Sequence, residues 1–329
     1  MRVLVVTNMY PSPERPHWGA FVKSQADSLA AKGCENTLYE IHGWRSKSEY
    51  LRAFAELPKV ARACRAELVH AHFGYTGAAA VRVPLPLVVS FCGDDLLGHP
   101  RADGSSTLKS RALVGLSRWA ARKAHGVIVK SAQMREIIAD VPDVHVIPNG
   151  VDLARFTPAP RAEARAKLGW RTEGQVLLFA AHPDETRKNF ALAREVEQRL
   201  RARGLEVRLE VEHNRPHAEM VDAMNASDVL LLPSLHEGSP NVLKEAMAVN
   251  LPVVASPVGD CAERLQGVTP SAVAPLDAHA FTEATAAVLA AGARSNGREH
   301  VVRSLSLEAV ADRVLGVYAQ ARQRFGSRT

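Results

Sequence analysis

Two glutamates, Glu237 and Glu245, stand with seven residues between them in the segment Ser234-Leu-His-Glu-Gly-Ser-Pro-Asn-Val-Leu-Lys-Glu-Ala-Met-Ala-Val-Asn-Leu-Pro-Val-Val-Ala-Ser256. The apolar run Val229–Pro233 before them predicts a buried strand, so the segment leaves the carboxyl end of a parallel sheet, where α/β folds place their ligands. Gly238-Ser239-Pro240 predicts a turn into a helix, with Ser239 as N-cap and Pro240 at the first helical position. The backbone N–H groups of Asn241, Val242 and Leu243 then point out of the helix end and form an anion site without any special loop. A carboxylate such as that of Glu245 accepts two hydrogen bonds from vicinal hydroxyls like those of a ribose. A single helical glutamate is ordinarily a solvated charge. Here strand, Glu-Gly turn, capped helix, second Glu and the following apolar strand Pro252–Ala255 occur together.

The elements that must hold this segment are legible as short β-branched or Leu-rich runs alternating with amphipathic stretches, the pattern of a parallel sheet covered by helices. The class is α/β. Strands are expected at Arg2–Thr7, Asn36–Ile41, Leu68–Ala71, Leu87–Ser90, Gly126–Lys130 and Val144–Ile147. A second set is expected at Gln175–Ala180, Glu206–Val211, Val229–Pro233, Pro252–Ala255 and Ser271–Ala274. Between the first two strands, Gly19–Lys32 places Val22, Ala26, Leu29 and Ala30 on one helical face. A chain of 329 residues exceeds one hydrophobic core, which predicts two domains. Turn chemistry at Asn149-Gly150 and the closing Pro158 put the boundary there, giving domains 1–152 and 153–306. The long amphipathic pattern from Leu307, in residues 307–329, is expected to cross back onto the first domain.

Composition narrows the function. With 47% hydrophobic and 23% charged residues the chain is an ordinary folded protein. The start carries one basic residue and a short apolar run, and the longest apolar region, near Gly77 to Phe91, is interrupted by Arg82, Pro84 and Pro86. Neither a signal peptide nor a membrane span is expected, which points to the cytoplasm. Cys34, Cys64, Cys92 and Cys261 are far apart, without zinc-ligand spacing, and read as free thiols. Residues 1–150 hold 19 Lys and Arg against 13 Asp and Glu, whereas residues 151–329 hold 22 of each. The basic first half would attract an anionic acceptor or the inner membrane surface; a merely solvated basic face is the plain alternative. With 5% aromatic residues and no recognition motif, nucleic acid is not expected as a partner. The dinucleotide fingerprint and the Walker loop are both missing, so phosphate must be held another way.

The segment around residues 234–256 resembles the family four nucleotide-sugar glycosyltransferases, whose hallmark is a Glu-x7-Glu pattern. Glu237, Gly238, Pro240, Glu245, Ala246, Met247, Ala248, Pro252, Val253 and Val254 match it. Asn250 stands where the family often has Gly, and Asn tolerates the left-handed conformation at a helix end. The resemblance implies a GT-B fold, two doubly wound Rossmann-like domains facing a central cleft, with the acceptor side first and the donor side second. It implies that Glu245 binds the donor ribose and Glu237 the transferred sugar, while Gly238, Ser239 and the amides of Asn241, Val242 and Leu243 hold the diphosphate.

Further positions follow from the same likeness. Lys188 matches a family Lys that grips the diphosphate; His182 replaces the family's early Arg, whose task passes to Arg187. As an alternative, Arg187-Lys188 is an exposed basic pair at a helix start. Gly19 in Trp18-Gly-Ala-Phe-Val resembles the family's Gly-rich entry into the first helix, where it would let the backbone approach phosphates, although a plain turn glycine fits too. In Ser90-Phe-Cys-Gly-Asp-Asp95 the Asp matches, but Cys92 replaces the family His that contacts the donor sugar. His72 of His70-Ala-His72 is then the expected polar group near the reaction centre, against a buried structural histidine.

The implied activity is retaining transfer of a hexosyl or N-acetylhexosaminyl group from a UDP- or GDP-type sugar to a lipid-linked glycan or small-molecule acceptor, without cofactor or metal. A nucleotide-sugar epimerase or hydrolase, or a non-catalytic nucleotide-sugar-binding subunit, are the competing readings. The last is favoured by Cys92 and His182.

Overall fold

Alternate residues of the central strands go to opposite cores, which is why those strands read as continuous apolar runs rather than as an in-out alternation. In a computed structural model, residues 1–15, 18–98, 107–213 and 217–328 are described. Two compact units result, one formed by Met1–Gly150 with Leu307–Thr329 and the other by Val151–Ser306.

The first unit holds a six-stranded parallel sheet of β1 (Arg2–Thr7), β2 (Glu35–Glu40), β3 (Leu68–His72), β4 (Leu87–Ser90), β5 (Gly126–Val129) and β6 (Val144–Val146), in the order β2-β1-β3-β4-β5-β6. Leu4, Val6, Val69, Ala71, Val89, Val127 and Val129 pack on one face, and Val3, Val5, Leu68, Val88 and Ile128 on the other. Helix Leu307–Arg328 covers the second face with Val310, Val314, Val317, Tyr318 and Ala321, at spacings of three and four. Gly126 admits it closely, since a Cβ there would stand 2.9 Å from Val317 Cγ1.

The second unit repeats the plan with β7 (Gln175–Phe179), β8 (Val207–Val211), β9 (Val229–Leu232), β10 (Val253–Ala255) and β11 (Ala272–Val273), ordered β11-β10-β9-β7-β8 and again parallel. Leu178, Leu230, Leu232, Val253 and Ala255 face one core; Leu177, Phe179, Val229, Leu231 and Val254 face the other. The chain runs from β7 out to β8 and returns to the other side of β7 as β9. Such a reversal opens a crevice at the carboxyl ends of the two strands beside it, here β7 and β9. The expected strands all form, with ends displaced by at most one or two residues. The domain division falls between Gly150 and Val151 rather than after residue 152.

All four cysteines are free thiols. Among the described residues, no helix is long and apolar enough to cross a membrane, and no group of three His, Cys, Asp or Glu side chains is placed to hold a metal ion.

Candidate functional site

The loops after β7 and β9 bring three charged residues of the sequence reading into one cluster. Glu237, 7% exposed, accepts from Lys188 Nζ at 2.5 Å, from Arg187 Nη1 at 3.1 Å and from Ser234 Oγ at 2.9 Å. The two loops are tied by the Leu235 amide, which donates to the Arg187 carbonyl at 2.7 Å. Burial alone would raise the Glu237 carboxyl, but the Lys188 ammonium and Arg187 guanidinium outweigh it and hold it below its ordinary value. Glu237 therefore stays ionised and fixes both cations. The fourth member, Ser234, had no local signal beyond its position just past the strand.

The helix after this turn spans Asn241–Ala248, and its N-cap is Pro240, not Ser239. Ser239 makes no capping bond. Its hydroxyl donates instead to Asp260 Oδ2 at 2.8 Å and accepts from the buried Lys244 Nζ at 3.1 Å, while Arg264 Nε donates to the same carboxylate oxygen at 2.9 Å. A partner from a distant loop has taken the hydroxyl that local pattern assigned to the cap. The amides of Asn241, Val242 and Leu243 still occupy the first turn, where backbone N–H groups lack intrahelical acceptors and the positive end of the helix dipole lies. Gly238 packs close to the next loop: a Cβ on Gly259, which has φ +58°, would come within 2.7 Å of the carbonyls of Glu237 and Gly238.

Glu245 lies on the same helix, half-buried, and among the described residues no hydrogen-bond or ion-pair partner holds its carboxylate. Burial pushes its pKa up to about 7, against the weaker pull of Lys244 and Arg155. A carboxylate left with open acceptor sites beside a helix amino end is suited to a pair of hydroxyls. The helix closes as its Asn predicts. Asn250 has φ +58°, and the Asn250 and Leu251 amides donate to the Met247 and Ala246 carbonyls, the double bond of a left-handed helix stop.

His182 is exposed and stacks on His213 with ring centroids 4.5 Å apart. Among the described residues it has no hydrogen bond or ion pair with Glu237, whereas Arg187 donates to that carboxylate.

The remaining expected residues belong to the first unit. Gly19, at φ +70°, precedes helix Ala20–Ala31, and a Cβ there would stand 2.3 Å from the Met9 carbonyl oxygen, so the tight turn itself demands glycine. Asp95 is fully buried and accepts from the amides of Gly74 at 3.0 Å, Cys92 at 3.0 Å and Gly93 at 2.9 Å. Its carboxylate is thus spent on holding the turns after β3 and β4, not turned toward a ligand. Burial raises it to about 6 despite those bonds. His72, 2% exposed, lies against His70 with ring centroids 4.2 Å apart, and burial drives it well below the ordinary imidazole value. It is buried and neutral. Lys130, directly after β5, was read as a strand residue; it is 1% exposed and belongs to the same cluster.

Comparison with known proteins decides the family. Residues 1–155 match the model of Glycosyltransferase Family 4, and residues 169–291 match that of Glycosyl transferases group 1. The chain belongs to the family 4 glycosyltransferases. A D-inositol 3-phosphate glycosyltransferase of Kineococcus radiotolerans is 30% identical over 236 residues, covering 59% of this family 4 chain and 54% of the relative, about half its length. Among solved structures, sucrose-phosphate synthase from Thermosynechococcus elongatus superposes with a TM-score of 0.78 at 18% identity, over 97% of this chain and 99% of the other. Anabaena Alr3699/HepE in complex with UDP gives 0.72 at 15% identity, over 97% and 100%. Those likenesses fix the fold as GT-B.

Proposed function

We propose that this family 4 protein is a retaining glycosyltransferase that takes a hexosyl or N-acetylhexosaminyl group from a UDP- or GDP-linked sugar. Supporting the donor assignment, the neighbour Alr3699/HepE was solved with UDP. The observation that carries the reading is the arrangement at the end of β9: Lys188 and Arg187 fixed by Glu237, the amino end of helix Asn241–Ala248, and an unpartnered Glu245. The diphosphate lies on the amides of Val242 and Leu243, and the ribose diol donates to Glu245. As the glycosidic bond lengthens, negative charge grows on the leaving diphosphate. Lys188 and Arg187 meet it without reorganising, because Glu237 already holds them. Glu237 keeps one edge for the hydroxyls of the transferred sugar. The acceptor attacks from the face the diphosphate leaves, retaining configuration, and the first unit supplies the acceptor side. No metal is needed in this reading, since phosphate charge is met by side chains and the helix end.

The test is transfer from UDP- and GDP-sugars to phosphorylated and lipid-linked acceptors, with the anomer of the product determined. Product with inverted configuration, or no nucleotide sugar consumed with any acceptor, would refute it. Cys92 and His182 depart from the family pattern and favour a non-catalytic binding subunit; tight donor binding without turnover would select that reading. Sugar altered without any acceptor would select an epimerase or hydrolase.

A further inference from the structure

At the carboxyl edge of the first sheet two buried polar atoms have nothing to bond. Lys130 Nζ and His72 Nδ1 are enclosed and, among the described residues, lack hydrogen-bond partners. Neighbouring groups are all otherwise engaged. His70 is bonded through Nδ1 to the Tyr318 hydroxyl at 2.7 Å and through Nε2 to Ser90 Oγ at 2.8 Å. The Asp95 carboxylate, the one acid whose charge reaches Lys130 besides the thiol of Cys92, is committed to the backbone amides of Gly74, Cys92 and Gly93. That thiol is no counter-ion, because burial pushes its pKa up and keeps it neutral. A buried ammonium without a hydrogen-bonded partner costs several kcal/mol, and burial accordingly lowers the Lys130 pKa; an anion beside it would offset that cost.

The place suits a ligand. Lys130 follows β5, His72 ends β3 and Cys92 lies two residues past β4, so three adjacent strands deliver them to one edge. Cys92 is partly exposed, and Gly93, at φ +144°, has open space where a Cβ would stand. The position occupied in the family by a histidine carries a small neutral thiol here, beside this more open turn.

We propose that Lys130 Nζ and the Nδ1–H of a neutral His72 together receive an acidic group of the acceptor, a carboxylate or a phosphate. That the group belongs to the acceptor rests on the transfer reading above; that an acid binds here does not. Burial lowers the Lys130 pKa, so an anion that restores the ammonium's charge, beside the uncharged His72 donor, is held in preference to a neutral sugar.

The test is calorimetric and thermal-shift titration of the full chain with sodium phosphate and, separately, sodium acetate at constant ionic strength. Wild type is expected to bind one of them, phosphate alone or acetate alone naming the acid class. Lys130→Met and Lys130→Gln should each weaken that binding at least tenfold, His72→Leu less, and Lys188→Met, which removes only phosphate held at the diphosphate site, should leave the Lys130-dependent binding in place. Ligand-free Lys130→Met should melt at or above wild type. Binding of neither anion, equal binding by the Lys130 variants, or loss only in Lys188→Met would overturn the proposal. So would failure of both Lys130 variants to fold, because the ammonium would then be satisfied within the fold. Loss of nucleotide-sugar binding in Glu245→Ala with anion binding at Lys130 intact would sink the transfer reading alone.

Discussion

The carboxyl edges of the two sheets both gather charge, and they treat it differently. In the second unit Glu237 is ionised and bound by three donors, and the half-buried Glu245 on the helix that follows has no partner among the described residues. In the first, Asp95 is wholly consumed by backbone amides and Lys130 is enclosed with none. One fold plan thus yields a pre-assembled electrostatic site with an open acceptor, and a scaffolded edge with an open donor. The open group, in each case, is where a ligand of opposite hydrogen-bonding character is wanted: hydroxyls on the carboxylate, an oxyacid on the ammonium.

Substitutions that break the closed parts should cost most. Asp95→Ala strips three buried amides of their acceptor and is expected to destabilise the protein by more than about 3 kcal/mol, read from urea unfolding. A loss below about 1 kcal/mol would show that water replaces the carboxylate and that the two edges differ less than described. Glu237→Ala leaves the mostly buried Lys188 without its acid, while Arg187 keeps Glu185; a loss of about 3 kcal/mol is expected, with turnover abolished at the same time. Stability unchanged in that variant would mean that the cations relax into solvent.

Smaller effects sharpen the contrast. Glu245→Ala and Lys188→Ala are each expected to lower turnover at least tenfold, about 1.4 kcal/mol in the barrier, with folding preserved. Near-normal turnover in both would remove the site assignment. Glu245 also predicts a pH dependence of definite sign. Since its pKa is about 7, nucleotide-sugar affinity should rise from pH 6 to pH 8 as the carboxylate forms, and Glu245→Gln should flatten that rise. Stability runs the other way. The folded chain holds the Glu245 proton up to about 7 whereas the unfolded chain releases it near the ordinary 4.5, so the folded state binds more protons in that window and weakens as pH rises through it. Glu245→Gln should therefore raise the melting temperature by about 2 °C or more at pH 8 and little at pH 5. A variant that melts lower at pH 8 would contradict the raised pKa.

Most of the scaffold was legible because parallel strands buried on both faces are apolar runs, and several, such as β1, β4 and β9, end at or just before a polar or Pro residue. Asn250 was legible for a local reason, the left-handed helix stop, which its backbone adopts. The failures have one cause in common. Ser239 has the type and position of a cap, but Asp260, from a loop twenty-one residues on, captures its hydroxyl. Asp95 and His72 matched a pattern or sat at a strand end, yet only three-dimensional packing decides that one serves backbone amides and the other is buried. Lys130 looked like the last residue of a strand, and nothing in its neighbours along the chain reveals that its ammonium lacks a partner. Propensity and spacing report what a residue can do locally; long-range competition for hydrogen bonds decides which of those things it does.

A crystal structure of the chain soaked with UDP or GDP tests the central claim most directly. The account predicts the diphosphate within hydrogen-bonding distance of the Val242 and Leu243 amides and of Lys188, with both ribose hydroxyls on Glu245. Nucleotide bound elsewhere, or bound there with Glu245 turned away from the ribose, would contradict it.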